Sequence, residues 1–98
     1  MTPEIIAHRG ASYLAPENTL TAFRKAMEIG ADGVEMDVQQ THDKKLVIHH
    51  DFIIDWHTDI RGQIYDMTEG ELKALDFGSW KDVSFKDERI ATLHEALT

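Results

Sequence analysis

Two acidic side chains lie on one face of a segment that otherwise has the pattern of a β-strand. In "GVEMDVQQ", residues 33–40, apolar and polar residues alternate, and Glu35 and Asp37 fall on the polar face. Successive strand side chains point to opposite faces, so the two carboxylates are expected roughly 6 to 7 Å apart. Two such groups repel each other unless a cation lies between them, and oxygen ligands suit Mg²⁺ or Ca²⁺. By itself, however, the spacing favours an ordinary solvated strand face over a metal site.

A histidine and an arginine follow the first predicted strand. His8 ends the apolar run "EIIAH", and Arg9 precedes Gly10, whose small size lets a ligand approach. A guanidinium group offers paired N–H donors that suit a phosphate. Taken singly, a hydrogen-bonded histidine at a strand end and a surface cation are the more common roles of such residues.

Two adjacent histidines end the predicted strand "LVIHHD", residues 46–51. The two-residue period of a strand places His49 and His50 on opposite faces, so only one of them can face a given site. Asp51 follows directly and could orient the His50 ring. A structural histidine–aspartate pair is the ordinary alternative.

The elements that would position these residues form a βαβ unit followed by a hairpin-like step. The predicted helix lies in "NTLTAFRKAMEIGAD", with Asn18 or Thr19 as its N-cap and Gly30 at its end. The turn "HDKK" separates the second and third strands. Two later helices are predicted by Thr-x-x-Glu capping boxes, in "TEGE" and "TLHE", whereas residues 52–66 are irregular.

The candidate polar residues share one position in this arrangement. They all fall at the C-terminal ends of successive predicted strands, which is the edge where α/β folds built from parallel strands place their sites. One such coincidence is unremarkable, but several together favour a functional site over a solvated surface. The residues concerned are His8, Arg9, Glu35, Asp37 and His50.

The composition limits the possible partners. The 98 residues carry a formal net charge of −8 and no basic run, which argues against binding to a nucleic-acid backbone. The chain has no cysteine, which excludes disulfide and thiolate chemistry. It contains no apolar stretch long enough for a membrane span, and its N-terminus lacks the pattern of a signal peptide. A cytoplasmic location is therefore expected.

Several ordered motifs together resemble the glycerophosphodiester phosphodiesterase family. They are "HRG" (8–10), "PENTLTAF" (16–23), "GADGVEMDVQQTHD" (30–43) and "LVIHHD" (46–51), followed by "GQIYDMTEGELKALDFGSW" (62–80) and "ATLHEAL" (91–97). The resemblance spans nearly the whole chain. It implies a TIM-like (β/α)8 barrel and metal-dependent hydrolysis of glycerophosphodiesters to glycerol phosphate and an alcohol.

Such a barrel takes about 250 residues. Residues 1–98 are therefore expected to be a truncated, N-terminal portion of one glycerophosphodiester phosphodiesterase domain, roughly its first third. The irregular stretch 52–66 would be an insertion in it. The short C-terminal helix is expected to need a partner surface.

The resemblance also implies roles for the candidate residues. His8 and His50 match the family's two catalytic histidines, with His50 expected to be the acid and His8 the base. Glu35 and Asp37 match two metal-binding acids, for Ca²⁺ or Mg²⁺, and Arg9 matches an arginine that binds the substrate phosphate. A third metal-binding acid and a lysine of the site would lie on later strands.

Other positions match or depart from the family pattern. Glu17 and Asn18, in the "PEN" turn, match loop positions near the site, and we expect both to be structural, with Asn18 capping the helix. The family usually has an arginine and a threonine near Trp56 and His57, and a proline where Ala91 stands. The contacts made by the loop after the third strand are therefore left open.

Two alternatives to this function remain open at the level of the sequence. One is a lysophospholipase D-like phosphodiesterase that uses the same residues and an apolar cleft elsewhere. The other is an inactive fragment that self-associates, because an open row of strands exposes an edge to which a second copy can pair. The expected partner is otherwise a small-molecule phosphodiester.

Overall fold

The structure, a computed structural model, describes residues 4–98, which contain five short strands and three α-helices. The strands are β1 (Ile6–His8), β2 (Gly33–Glu35), β3 (Val38–Gln40), β4 (Leu46–Ile48) and β5 (Ala91–Thr92). The helices are α1 (Leu20–Glu28), α2 (Glu69–Lys73) and α3 (Leu93–Leu97), with 3₁₀ turns at Ile64–Asp66 and Val83–Phe85. Residues 1–3, part of the stretch in which no signal peptide was expected, lie outside the described residues. Within residues 4–98, no helix has the length and apolar character needed to cross a membrane.

The strands form two small sheets. β1 and β2, which α1 connects along the chain, pair with each other in parallel, and His8 lies opposite Glu35. This confirms the predicted βαβ unit. β3 and β4 pair in an antiparallel manner, and β4 pairs in the same manner with β5. The hairpin-like step is therefore also confirmed. The five residues between β3 and β4 are too few for the crossover connection of a parallel pair, so the argument from the shared edge of parallel strands applies to β1 and β2 but not to β4.

The segment 33–40 is not one continuous strand. β2 ends at Glu35 and β3 begins at Val38, so Asp37 lies in the link between them. At this link the chain changes its pairing partner from β1 to β4. The Asp37 carbonyl oxygen accepts a hydrogen bond from the His49 backbone N–H at 2.8 Å, which holds the link to the end of β4. The two acids thus lie near each other in sequence but not on one regular strand face.

Local signals for the helices are confirmed. Thr19, in extended conformation, is the N-cap of α1 and accepts a hydrogen bond from the Ala22 backbone N–H. Gly30 follows the helix with φ +87°, a left-handed conformation that glycine adopts without strain. Both predicted capping boxes form, at the starts of α2 and α3, with reciprocal hydrogen bonds between threonine and glutamate.

β4 separates two apolar clusters. Successive residues of the strand face opposite ways, so Val47 packs into one cluster and Ile48 into the other. The larger cluster consists of Val47, Ile54, Ile64, Leu72, Phe77 and Ile90, and the smaller one of Phe23, Ile48 and Ala91. Residues 52–66 contribute to the larger cluster although their regular structure is limited to a β-bridge between Ile53 and Gln63 and one 3₁₀ turn. The loop after β4 is therefore anchored to the core by buried side chains.

Candidate active site

Arg9 lies at the centre of a group of carboxylates. Its backbone N–H donates to Glu35 Oε1 at 3.2 Å, and its Nη1 donates to Glu17 Oε2 at 3.0 Å. Its Nε lies 3.5 Å from Asp37 Oδ2. The guanidinium is mostly buried, so these ion pairs are less screened by solvent than surface pairs. Arg9 thereby ties the loop after β1 to the acids that follow β2.

The backbone of this loop adopts an uncommon conformation. Arg9 has φ 58° and Gly10 has φ 80°, so two successive residues are left-handed. A Cβ on Gly10 would lie 2.8 Å from the Ala22 carbonyl carbon, because the loop packs directly against α1. The strain at Arg9 is of the kind that persists only where surrounding contacts fix the chain.

The Gly10 position supports a prediction about stability. In Gly10→Ala the new methyl group would meet the α1 backbone, so we expect the free energy of unfolding to fall by about 2–4 kcal/mol. Gly30→Ala is the matched control, since Gly30 is also left-handed but a Cβ there would meet nothing within 4 Å. That variant is expected to lose only about 1 kcal/mol. Urea unfolding of the whole protein measures both, and equal losses would contradict the packing argument.

Asn18 holds Asp37 in place with two reciprocal hydrogen bonds. Its Nδ2 donates to Asp37 Oδ2 at 3.0 Å, and its Oδ1 accepts from the Asp37 backbone N–H at 3.3 Å. The side chain is buried, and the backbone is left-handed at φ 59°. The expectation that Asn18 caps α1 is therefore wrong, because its side chain is engaged with Asp37 and Thr19 is the cap.

The structure gives His8 and His50 each a carboxylate neighbour. His8 Nε2 lies 3.5 Å from Glu35 Oε1, and His50 Nδ1 is hydrogen-bonded to Asp51 Oδ1 at 2.8 Å. Both imidazoles are accessible to solvent, whereas His49 is buried. The predicted separation of His49 and His50 is observed, although both residues lie just beyond the last residue of β4.

A third histidine connects the two halves of the site. His57 Nε2 lies 3.9 Å from Glu17 Oε2, and its Nδ1 lies 3.9 Å from Asp51 Oδ2. Since Glu17 also binds Arg9 and Asp51 also binds His50, the His57 ring lies between the carboxylates that hold these two residues. The phosphate-binding candidate and the second histidine thus belong to one connected group of side chains.

Comparison with known protein families identifies the family to which this chain belongs. Residues 8–98 match the model of the glycerophosphoryl diester phosphodiesterase family. The chain belongs to this family. The resemblance drawn from the motifs is thereby confirmed for almost the whole length of the chain.

Curated members of the glycerophosphoryl diester phosphodiesterase family match at high identity. A glycerophosphodiester phosphodiesterase of Caldanaerobacter subterraneus subsp. tengcongensis is 50% identical over 91 residues, which are 93% of this chain and 37% of that protein. Glycerophosphodiester phosphodiesterase 1 of Rattus norvegicus is 45% identical over 95 residues, 95% of this chain and 29% of the relative. The chain therefore spans only 37% and 29% of the length of these two relatives.

Solved structures of family members have the same chain path. A phosphodiesterase of Oleispira antarctica, in complex with the product sn-glycerol-3-phosphate, matches with a TM-score of 0.93 and 47% identity, over 96% of this chain and 38% of that one. A glycerophosphodiester phosphodiesterase of Agrobacterium tumefaciens matches with a TM-score of 0.90 and 38% identity, over 94% of this chain and 40% of that one. The α/β arrangement of residues 4–98 is thus part of a longer family fold.

The structure also shows a possible ligand group that the sequence analysis missed. His49, Asp51 and His57 each present one ligand atom, and these atoms lie within 4.8 Å of one another. The separation of the third residue by an irregular loop gave no sign of this proximity. The sequence signal that could have indicated it is the spacing His-x-Asp-x5-His, with both histidines close to apolar residues.

Burial and neighbouring polar groups together determine the ionisation of this group. Burial lowers the pKa of His49 to about 4, so the ring is neutral near pH 7. Burial also lowers the pKa of His57, against the opposite effect of the Glu17 and Asp51 carboxylates. Burial acts to raise the pKa of Asp51, but the hydrogen bond from His50 and the nearby imidazoles together bring it below its usual value. The group therefore combines an ionised carboxylate with a neutral imidazole at His49.

Proposed function

We propose that the whole protein hydrolyses glycerophosphodiesters to glycerol phosphate and an alcohol. Membership of the family supports this reaction, as does the product named for the Oleispira antarctica relative, sn-glycerol-3-phosphate. The observation that carries the proposal is the packing of Arg9 among Glu17, Glu35 and Asp37, beside His8. A cation-binding acidic pair and a guanidinium in one place suit a phosphodiester, whose charge both can neutralise.

The residues of the chain have separable roles in this proposal. Arg9 would bind a phosphoryl oxygen and neutralise part of its charge. His8 would take the proton from the attacking water or from a neighbouring glycerol hydroxyl, and His50 would give a proton to the leaving alcohol. Attack by the hydroxyl would form a cyclic phosphate, which water would then open to glycerol phosphate. Asp51, bonded to His50 Nδ1, would fix the orientation of that ring so that Nε2 is the nitrogen facing the substrate.

Glu35 and Asp37 are proposed to bind Mg²⁺ or Ca²⁺. Their donor set fits such an ion, because the contacts described above engage only Oε1 of Glu35 and Oδ2 of Asp37. The second oxygen of each acid is the one available to a cation, and oxygen donors are those that Mg²⁺ and Ca²⁺ prefer. When bound, the ion would act as a Lewis acid on the phosphoryl group. We propose that a third acid from outside residues 1–98 completes the ligands.

The fold proposed for the whole protein is a TIM-like (β/α)8 barrel, with residues 52–66 as an insertion near its active-site end. In this family domain the chain would supply the first part of the barrel. A cytoplasmic location and self-association both stay predictions. Analytical ultracentrifugation of the 98-residue chain would check the latter, because an uncovered strand edge favours pairing with a second copy.

Release of glycerol phosphate from glycerophosphocholine tests the proposed reaction. We expect the whole protein to release it in the presence of Mg²⁺ or Ca²⁺, to lose the activity in excess chelator, and to regain it when the metal is restored. Lysophosphatidylcholine serves as the comparison substrate, and cleavage of that substrate alone would favour the lysophospholipase D-like alternative. Hydrolysis of neither substrate with metal present would contradict the proposal, and turnover in chelator would contradict its metal dependence.

A further inference from the structure

Three side chains from the loop after β4 converge at one point. Ligand atoms of His49, Asp51 and His57 lie within 4.8 Å of one another. Metal–ligand bonds of 2.0–2.2 Å in a tetrahedral site place the ligand atoms about 3.3 Å apart. The ligand atoms would therefore have to approach one another by at most about 1.5 Å to bind one ion. The loop is held by the buried Ile54, so the three side chains start from fixed backbone positions.

A buried nitrogen of His57 is an independent observation that favours a ligand at this point. Its Nδ1 is buried and has no hydrogen-bond partner among residues 4–98. The nearest carboxylate oxygen, Asp51 Oδ2, is 3.9 Å away, which is beyond hydrogen-bonding distance. Buried polar atoms in native proteins are nearly always paired, so this imidazole nitrogen beside a carboxylate is suited to a partner that residues 4–98 do not supply, such as a cation.

The outer contacts of the cluster suit metal-bound histidines. Histidine ligands usually donate their other ring N–H to a carbonyl or a carboxylate. His49 Nε2 lies 3.2 Å from the Ile53 carbonyl oxygen, and His57 Nε2 faces Glu17 Oε2. The two carboxylate oxygens of Asp51 also have different neighbours, because Oδ1 is hydrogen-bonded to His50 and Oδ2 faces His57. One donor atom of each residue therefore remains for a cation.

Aromatic rings pack around the two buried histidines of the cluster. His49 packs edge-on against His57, with ring centroids 4.9 Å apart, and against Phe77, at 5.5 Å. Trp80 packs against the far side of His57 with a centroid distance of 4.6 Å.

We propose that His49, Asp51 and His57 bind one late first-row dication, represented by Zn²⁺. Two imidazoles and a carboxylate suit Zn²⁺, whereas Mg²⁺ and Ca²⁺ prefer all-oxygen sets such as the acidic pair described above. The site is therefore distinct in its chemistry from the proposed catalytic cation site. By holding Asp51, the bound ion would fix the carboxylate that orients His50, so it would position a catalytic side chain without contacting substrate.

Zn²⁺ binding to the whole protein tests this proposal without reference to activity. Competition with a chromophoric chelator is measured in excess Mg²⁺, which occupies the acidic pair. We expect one equivalent of Zn²⁺ to bind, and His57→Ala to weaken that binding at least about 10-fold. His94→Ala is the matched control, since His94 is exposed on α3, and its affinity is expected to equal that of the unmodified protein. Equal affinities in all three proteins would overturn the proposal.

A second readout is needed because His57→Ala also removes packing against Trp80. Co²⁺ replaces Zn²⁺ in such sites and reports its own coordination through visible absorption. We expect one equivalent of Co²⁺ to give the strong bands of a four- or five-coordinate site in the unmodified protein. Only the weak bands of six-coordinate Co²⁺ would overturn the proposal, whatever the stability of the variants.

Discussion

His50→Ala is expected to lower the kcat of the whole protein for glycerophosphocholine by roughly 10²- to 10⁴-fold, because it removes the group proposed to protonate the leaving alcohol. The His50 ring is accessible to solvent and is held through Nδ1 by Asp51 at 2.8 Å. The residue lies on the surface side of the loop, so its loss is not expected to disturb the apolar clusters. Steady-state kinetics with saturating metal measure the effect.

The substrate itself provides a check on this role. A substrate with a good leaving group, such as a p-nitrophenyl phosphodiester, needs little protonation, so His50→Ala is expected to lose much less activity on it. His94→Ala, which alters an exposed histidine of α3, is the control and is expected to retain the unmodified kcat on both substrates. An equally large loss on both substrates would contradict the role of acid and indicate a different function for His50.

The sequence alone could separate the roles of the adjacent histidines His49 and His50. The alternation of "LVIHH" assigns the two histidines to opposite faces, and the structure buries His49 against Phe77 while it exposes His50. This inference needed only the two-residue period of a strand and the apolar residues that precede the pair. The capping boxes of α2 and α3 and the cap of α1 are likewise local signals, in which the residues that interact are three apart.

The break between β2 and β3 could not be predicted in the same way. Alternation continues without interruption through Glu35, Met36 and Asp37, because a strand that changes its pairing partner keeps the same side-chain period. The change is caused by long-range contacts, in particular the two hydrogen bonds from Asn18 to Asp37 and the bond from His49 N–H to the Asp37 carbonyl. None of these is visible in the sequence spacing.

The position of His57 was unpredictable for a related reason. It lies in an irregular stretch whose path depends on Ile54, buried in the larger cluster, and on a turn in which the His57 backbone N–H donates to the Ile54 carbonyl oxygen. In the sequence, residues 56 and 57 were notable only because they differ from the arginine and threonine that the family usually has there. The structure shows that this departure places an imidazole between Glu17 and Asp51.

Glu35→Gln is expected to lower kcat/KM at low metal concentration by roughly 10²-fold or more, since it removes one charged ligand of the proposed catalytic cation. The substitution separates this role from a structural one. The amide oxygen of glutamine can still accept the hydrogen bond from the Arg9 backbone N–H, so the loop after β1 is expected to keep its conformation. The charge and part of the affinity for the cation are lost, while the shape of the side chain is retained.

The dependence of activity on metal concentration distinguishes the two explanations. If Glu35 binds the cation, the Mg²⁺ concentration needed for half-maximal activity rises in Glu35→Gln, and excess Mg²⁺ restores part of the lost rate. If Glu35 only supports Arg9, added Mg²⁺ restores nothing, because the defect lies in phosphate binding and appears as a raised KM at every metal concentration. Glu28→Gln, at the exposed end of α1, is the control for the loss of one negative charge, and its Mg²⁺ dependence is expected to match that of the unmodified protein. An unchanged Mg²⁺ dependence in Glu35→Gln would therefore contradict the metal site while leaving the role of Arg9 intact.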